Sequence, residues 1–221
     1  MNERTPTVYI VDDDDVSRRY FSAVLSGEQI QSRMVESAQA FLQSYDPREP
    51  GCLLLDVQMP GMNGLQLQQQ LNLRGAVIPV IFVSGHAQVP TAVEALLQGA
   101  FGFLQKPVPA EILLSQVRKA LERDATNRAE LREREKLTQR FHALTPRERE
   151  VLEMLMAGRS NKVMASDLSL SQRTVELYRA RVMEKTGARS LAQLVRMAME
   201  LNIGPPSSRA PPSSAGHPAG S

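Results

Sequence analysis

Residues 9–19 read YIVDDDDVSRR, a β-branched and aromatic run that passes straight into four consecutive aspartates, Asp12 to Asp15. Carboxylates packed this closely repel one another and raise one another's pKa values, so the run costs stability unless a cation offsets it. An apolar run, then acid, then a helical pattern is the opening of a βα unit with its acids at the carboxyl end of the strand. In parallel α/β sheets that end is where ligand sites collect.

The same alternation continues along the chain. The runs TVYIV (7–11), QSRMV (31–35), CLLLD (52–56), VIPVIFV (77–83) and FGFL (101–104) are separated by segments of helical period. This predicts a doubly wound α/β domain with a five-stranded parallel sheet. Val16, Tyr20 and Val24 recur at i, i+4 and i+8 in the first helix. Leu67 and Leu71, with Leu65 and Leu73 nearby, mark the third, where Gln66 and Gln68 to Gln70 are assigned to a solvated outer face. Ile112, Leu113, Val117 and Leu121 form the stripe of the fifth.

The strand ends carry the chemistry. Strand one ends at Asp12 and Asp13, strand three at Asp56, strand four at Ser84 before Gly85, and strand five at Lys106 before Pro107, a turn residue open to a cis bond. If strands one and three are neighbours, three carboxylates converge into a hard-oxygen site suited to Mg²⁺. Asp14 and Asp15 fall beyond the pocket, where they favour the positive N-terminus of the first helix. Carboxylate, cation site, hydroxyl and ammonium are the parts needed to transfer and hold a phosphoryl group. Each is a weak signal alone; the ordered set is a strong one.

The formal net charge of +2 conceals an asymmetry. Residues 1–110 carry 7 Lys/Arg and 11 Asp/Glu, residues 111–140 carry 8 and 6, and residues 141–221 carry 11 and 7. An acidic part followed by a basic one points to a second job on a polyanion. The single cysteine, Cys52, reads as a buried small hydrophobe and fits a reducing compartment. No uncharged apolar run approaches the ~20 residues that span a bilayer, so a cytoplasmic location with no membrane partner is expected.

Residues 123–140, RDATNRAELREREKLTQR, read as a solvated helical linker continuing the fifth helix; Leu131 and Leu137 sustain no heptad. A small all-α domain opens at LTPRERE, where Thr145 is a good N-cap, Pro146 suits the first helical position and Glu148 completes a capping box. Helices are expected over 161–168, 172–185 and 190–201, with SLSQ (169–172) as the turn of a helix-turn-helix. Arg173, Arg179, Arg181 and Lys185 give its second helix a basic character. Leu191, Leu194, Val195 and Met199 stripe the last helix, and the Pro/Ser-rich tail, including His217, is expected to be disordered.

VDDDD, LLLDVQMPGMNG, FVSGHA and FLQKP resemble the receiver domain of two-component response regulators, which have a flavodoxin-like fold. The resemblance implies that Asp56 is the phosphoacceptor for a sensor histidine kinase. It also implies that Asp12, Asp13, Asp56 and the backbone carbonyl of Gln58 hold Mg²⁺ (or Mn²⁺), and that Ser84 and Lys106 bind the phosphoryl oxygens. Phe103 matches an aromatic position whose inward rotation accompanies activation in the family, and Gln58 and His86 match positions that influence how long the phosphoryl group lasts.

REREVL, AGRSNK, LSLSQRTVE and ARSLAQLVRMA resemble the LuxR-type DNA-binding domain of the FixJ and NarL groups. By that resemblance Glu176, Leu177 and Ala180 face base edges of a double-stranded operator, while Asn161, Lys162, Arg173, Thr174 and Arg179 hold its backbone. The last helix pairs two DNA-binding domains in the family.

The expected organisation is a receiver over 5–122, a linker over 123–140, a DNA-binding domain over 141–203 and a tail over 204–221. The expected function is a phosphorylation-controlled transcription regulator, an activator acting with RNA polymerase, which dimerises through the fourth helix, fifth strand and fifth helix (roughly residues 90–121). The alternatives are a regulator with a non-phosphorylated scaffold receiver and a Mg²⁺-dependent aspartyl-phosphate phosphohydrolase. The second lacks the carboxylate two residues past the nucleophile, where Gln58 stands.

Overall fold

The computed structural model describes residues 5–85 and 89–204. The chain divides into two units, Met1–Glu130 and Leu131–Ser221.

The first unit comprises β1 (Thr7–Val11), α1 (Asp15–Gly27), β2 (Ser32–Val35), α2 (Ala38–Ser44), β3 (Gly51–Asp56), α3 (Gly64–Leu73), β4 (Val80–Ser84), α4 (Val89–Leu97), β5 (Gly102–Gln105) and the first part of α5 (Ala110–His142). The five strands are parallel, in the order β2-β1-β3-β4-β5. β1 and β3 are therefore neighbours, with Val11 opposite Leu55. β3 and β4 are buried along their whole length, as continuous apolar runs at the centre of a parallel sheet must be. β4 begins at Val80, three residues later than the apolar run, because Pro79 has no N–H for the ladder; its carbonyl accepts from Leu53 N at 2.9 Å.

Alternate residues feed two cores. Tyr9, Val11, Leu53, Leu55 and Phe82 pack with Phe41, Leu67 and Leu71 on one face. Val8, Ile10, Cys52, Leu54, Ile81 and Val83 pack with Phe21, Leu25, Leu113 and Val117 on the other.

Several side chains depart from the sequence pattern, among them Leu73, exposed at the end of α3. Val16 and Tyr20 are exposed on α1, whose buried face is Phe21 and Leu25; the Tyr20 hydroxyl donates to Val108 O at 2.8 Å. Ile112 is exposed on α5, and Ala120 is buried below Leu113 and Val117. Gln68, assigned to the solvated face, is 1% exposed, and its Nε2 donates to the carbonyls of Ala95 (3.2 Å) and Gln98 (3.3 Å) at the end of α4.

α5 runs for 33 residues. Its charged stretch is not solvated throughout. Asp124 is buried, and its Oδ2 accepts from Gly51 N at 2.9 Å and from Arg128 Nε at 2.7 Å.

The second unit contains α6 (Pro146–Met156), α7 (Asn161–Asp167), α8 (Gln172–Thr186) and α9 (Leu191–Glu200). Thr145 caps α6 with Pro146 in the first turn, and the capping box with Glu148 is complete. Ser169, at φ 56°, and the N-cap Ser171 form the turn between α7 and α8. Phe141, Val151, Leu152, Met164, Val175, Val182, Leu194 and Ala198 make the core. Of the α9 stripe, Leu194 is buried while Leu191 and Met199 are exposed. His86, His217 and the tail from residue 205 lie outside the described residues.

Candidate phosphoacceptor pocket and DNA-binding surface

Strand order brings the chemistry together. Asp12 follows β1, Asp56 ends β3, Ser84 ends β4 and Lys106 follows β5, so one edge of four adjacent strands carries them. Asp12, Asp56 and Ser84 are buried. Lys106 Nζ donates to Asp12 Oδ2 at 2.6 Å and to Asp56 Oδ1 at 3.0 Å. The Lys106 backbone N donates to Ser84 O at 2.9 Å, and the Lys106–Pro107 peptide is cis.

The remaining carboxylate oxygens are held from the backbone: Asp14 N donates to Asp12 Oδ1 at 2.9 Å and Gln58 N to Asp56 Oδ2 at 2.6 Å. Asp13 is exposed beside the pocket. Asp14 caps α1 through Val16 N and Ser17 N, and Asp15 lies in its first turn, as the helix dipole favours.

Burial raises the Asp56 pKa above its ordinary 3.8, and the Asp12 charge adds to this; the Lys106 ammonium and the Gln58 N–H oppose the rise without cancelling it. Burial works to lower the Lys106 pKa, but its bonds to Asp12 and Asp56 outweigh it and the pKa is raised. Among the described residues no three metal-ligating side chains stand preassembled, and the Lys106 ammonium bridges Asp12 and Asp56. The donor set of carboxylates and backbone carbonyls is all hard oxygen, which fits a small divalent cation. Phe103 is half-buried and stacks on Phe82 with ring centroids 6.2 Å apart.

Two residues that pattern reading passed over shape this pocket. Arg18 Nη1 donates to the Asp12 carbonyl at 2.6 Å; its place one helical turn past Asp14 was the available signal. Gly64 lets α3 begin against the end of β3, its N–H donating to Val57 O at 3.0 Å.

In the second unit, α8 buries Val175 and Val182 and leaves Arg173, Glu176, Leu177 and Ala180 exposed, with Leu177 at 51%. Lys162 is exposed on α7. Asn161 donates to Glu176 at 3.5 Å and accepts from Arg179, while the Thr174 hydroxyl meets Ser171 Oγ at 2.8 Å. Asn161 of α7 thus meets Glu176 and Arg179 of α8. Lys185 does not belong with them: its Nζ lies 2.7 Å from buried Glu148 Oε2, a structural pair. Burial pushes the Glu148 carboxyl up, but bonds from Lys185 and Thr145 N outweigh it and hold the pKa below 4.5.

A sheet of this order with an acid–ammonium pocket at its carboxyl edge, and a separate helix-turn-helix unit, define a class. Residues 8–118 match the response regulator receiver domain, and residues 142–198 match the bacterial regulatory proteins of the luxR family. The chain belongs to the FixJ-like response regulators, in which a receiver and a LuxR-type DNA-binding domain serve phosphorylation-dependent transcription regulation.

It is 43% identical over 205 residues to transcriptional regulatory protein FixJ of Azorhizobium caulinodans, covering 93% of this chain and 97% of that one. It is 36% identical over 201 residues to response regulator protein TodT of Pseudomonas putida, covering 91% and 88%. Among solved structures, response regulator StyR matches with TM-score 0.76 at 36% identity, over 89% of this chain and 99% of that one. Full-length FixJ from B. japonicum matches with TM-score 0.55 at 35% identity, over 90% and 98%. These relatives are regulators, and the receiver family generally binds Mg²⁺ at its phosphorylation site. Among the described residues no helix is long and apolar enough to cross a membrane.

Proposed function

We propose that Asp56 accepts a phosphoryl group from a sensor histidine kinase and that this drives homodimerisation and operator binding. The observation that carries the reading is the bridge from Lys106 to both Asp12 and Asp56 at the end of β3. An Asp56 carboxylate oxygen forms the new bond to phosphorus as the bond to the phosphohistidine nitrogen breaks, and the imidazole leaves with its electron pair. Asp12, Asp13, Asp56 and the Gln58 carbonyl would hold Mg²⁺ or Mn²⁺, which neutralises charge between the carboxylate and the incoming phosphoryl oxygens. Lys106 turns from carboxylate to phosphoryl oxygen, Ser84 donates a hydroxyl, and Phe103 moves with Ser84.

Arg173, Lys162, Asn161, Thr174 and Arg179 would hold the DNA backbone while Glu176, Leu177 and Ala180 meet base edges. The protein acts in the cytoplasm, recruits RNA polymerase as a dimer, and slowly loses its own phosphoryl group without turning over external substrates. The receiver occupies 5–122 and the DNA-binding domain 141–203.

Intact mass after incubation with acetyl phosphate tests the pocket. Wild type is expected to gain one phosphoryl mass only with Mg²⁺ present, and Asp56→Asn none. An adduct that persists in Asp56→Asn, or forms equally without divalent metal, overturns the assignment.

A further inference from the structure

Besides the phosphoacceptor pocket, the first unit holds a second buried charged cluster, at the opposite end of β3. Gly51 starts that strand and Asp56 ends it. Asp124 of α5, 1% exposed, accepts from Gly51 N with Oδ2, the oxygen that also meets Arg128 Nε at 2.7 Å. The two terminal nitrogens of the same guanidinium donate to the carbonyls of Pro47 (2.7 Å) and Glu49, and Asn127 Nδ2 donates to Val77 O at 3.1 Å. Tyr45 lies beside the pair, and burial, with the Asp124 charge adding to it, pushes its pKa up to about 12.

Asp124, Asn127 and Arg128 share one face of α5 at i, i+3 and i+4, and their partners lie on the segments leading into β3 and β4. The planar fork of arginine matches three acceptors at once, which lysine could not do. No part of this cluster serves phosphoryl transfer, and no helix needs a buried ion pair for its own stability. Beyond it the burial changes abruptly: every residue from Leu131 to Lys136 is exposed.

We propose that Asp124, Asn127 and Arg128 are positioning residues for output: a clamp that fixes α5 to the base of the receiver sheet up to Glu130. A change of receiver state would then be passed to the helix beyond as a change in a rigid body rather than absorbed by a flexible joint. This rests on the phosphorylation-dependent DNA binding proposed above.

The test uses the full chain. Arg128→Met keeps the aliphatic stem and removes the fork; Asp124→Asn combined with Arg128→Met leaves no unpaired buried charge; Asn127→Ala removes a single amide and keeps the ion pair, so at least one variant retains the fold. For each, acetyl phosphate labelling of Asp56, amide hydrogen exchange over 123–140, and affinity for a selected operator with and without phosphorylation are measured. In wild type the amides of 123–130 are expected to be protected. In the Arg128 variants they should exchange at least about tenfold faster. Labelling should stay at the wild-type rate, while the phosphorylation-dependent gain in DNA affinity falls to a small fraction of the wild-type gain. A merely structural role would lower stability and leave that gain intact. Variants that label and keep the full wild-type gain overturn the clamp, as does a wild type whose 123–130 amides exchange as freely as those of 131–136. A wild type that gains no affinity on phosphorylation instead overturns the reading on which the clamp rests.

Discussion

A methyl group added at Gly64 would stand 2.2 Å from the Asp56 carbonyl oxygen and 2.9 Å from Cε1 of Phe82. Neither neighbour is the free end of a flexible chain, so Gly64→Ala must move the end of β3 and the nucleophile with it. A loss of about 1–3 kcal/mol in urea unfolding is expected, together with slower acetyl phosphate labelling; unfolding and labelling at wild-type values would show that the approach tolerates a side chain. Glu148 sets a pH dependence. Its pKa is depressed in the folded state, so its contribution is present above the unfolded value of 4.5 and lost as pH falls through the folded value. Thermal melts between pH 6 and pH 3 should show a steeper decline in wild type than in Glu148→Gln. Equal slopes would remove Glu148 from the account. Asp12, Asp56, Ser84 and Lys106 were legible in the sequence because each stands where an apolar run stops, and a parallel sheet gathers such ends. Gln68, Asp124 and Lys185 were not, because a polar side chain is buried or exposed according to partners that arrive from distant segments.

α4 buries one residue, Ala95, while Val89, Val93, Leu96 and Leu97 face outward. Its carboxyl end is held instead by amides of α3: Gln68 on the Ala95 and Gln98 carbonyls, and Asn72 Nδ2 on Gln98 O at 2.8 Å. Gln68→Ala should cost about 1–2 kcal/mol and speed amide exchange in α4 more than in α3. Uniform exchange across both helices would contradict that anchoring. The elements themselves were legible to within a few residues, since periods of two and of 3.6 are written by local burial. The helical continuation of α5 was likewise legible from helix-forming residues. Its docking was not: the pattern of 123–140 is densely charged with sparse apolar positions, and the partners that hold part of it, Gly51 N and the carbonyls of Pro47, Glu49 and Val77, come from distant segments.

At the scale of the whole molecule, charge is unevenly distributed along the chain. The first 110 residues carry an excess of acid, and the basic last part presents Arg173 and Lys162 to solvent. Operator affinity is therefore expected to fall steeply with salt, and Arg173→Ala to weaken binding to all sequences alike and reduce the double-logarithmic slope by about 1. Leu177→Ala should instead alter the ranking of operator variants at an unchanged slope. A Leu177 variant that changes only the slope would move that residue from the bases to the backbone. Cys52 carries a practical consequence. It is the chain's single sulfhydryl, wholly buried on the central strand β3, and burial lifts its pKa far from the thiolate form. Maleimide reagents should pass it by in the native protein. A cysteine installed at any exposed position, such as Glu135→Cys, can then carry a fluorophore or spin label alone, with no background site to delete first.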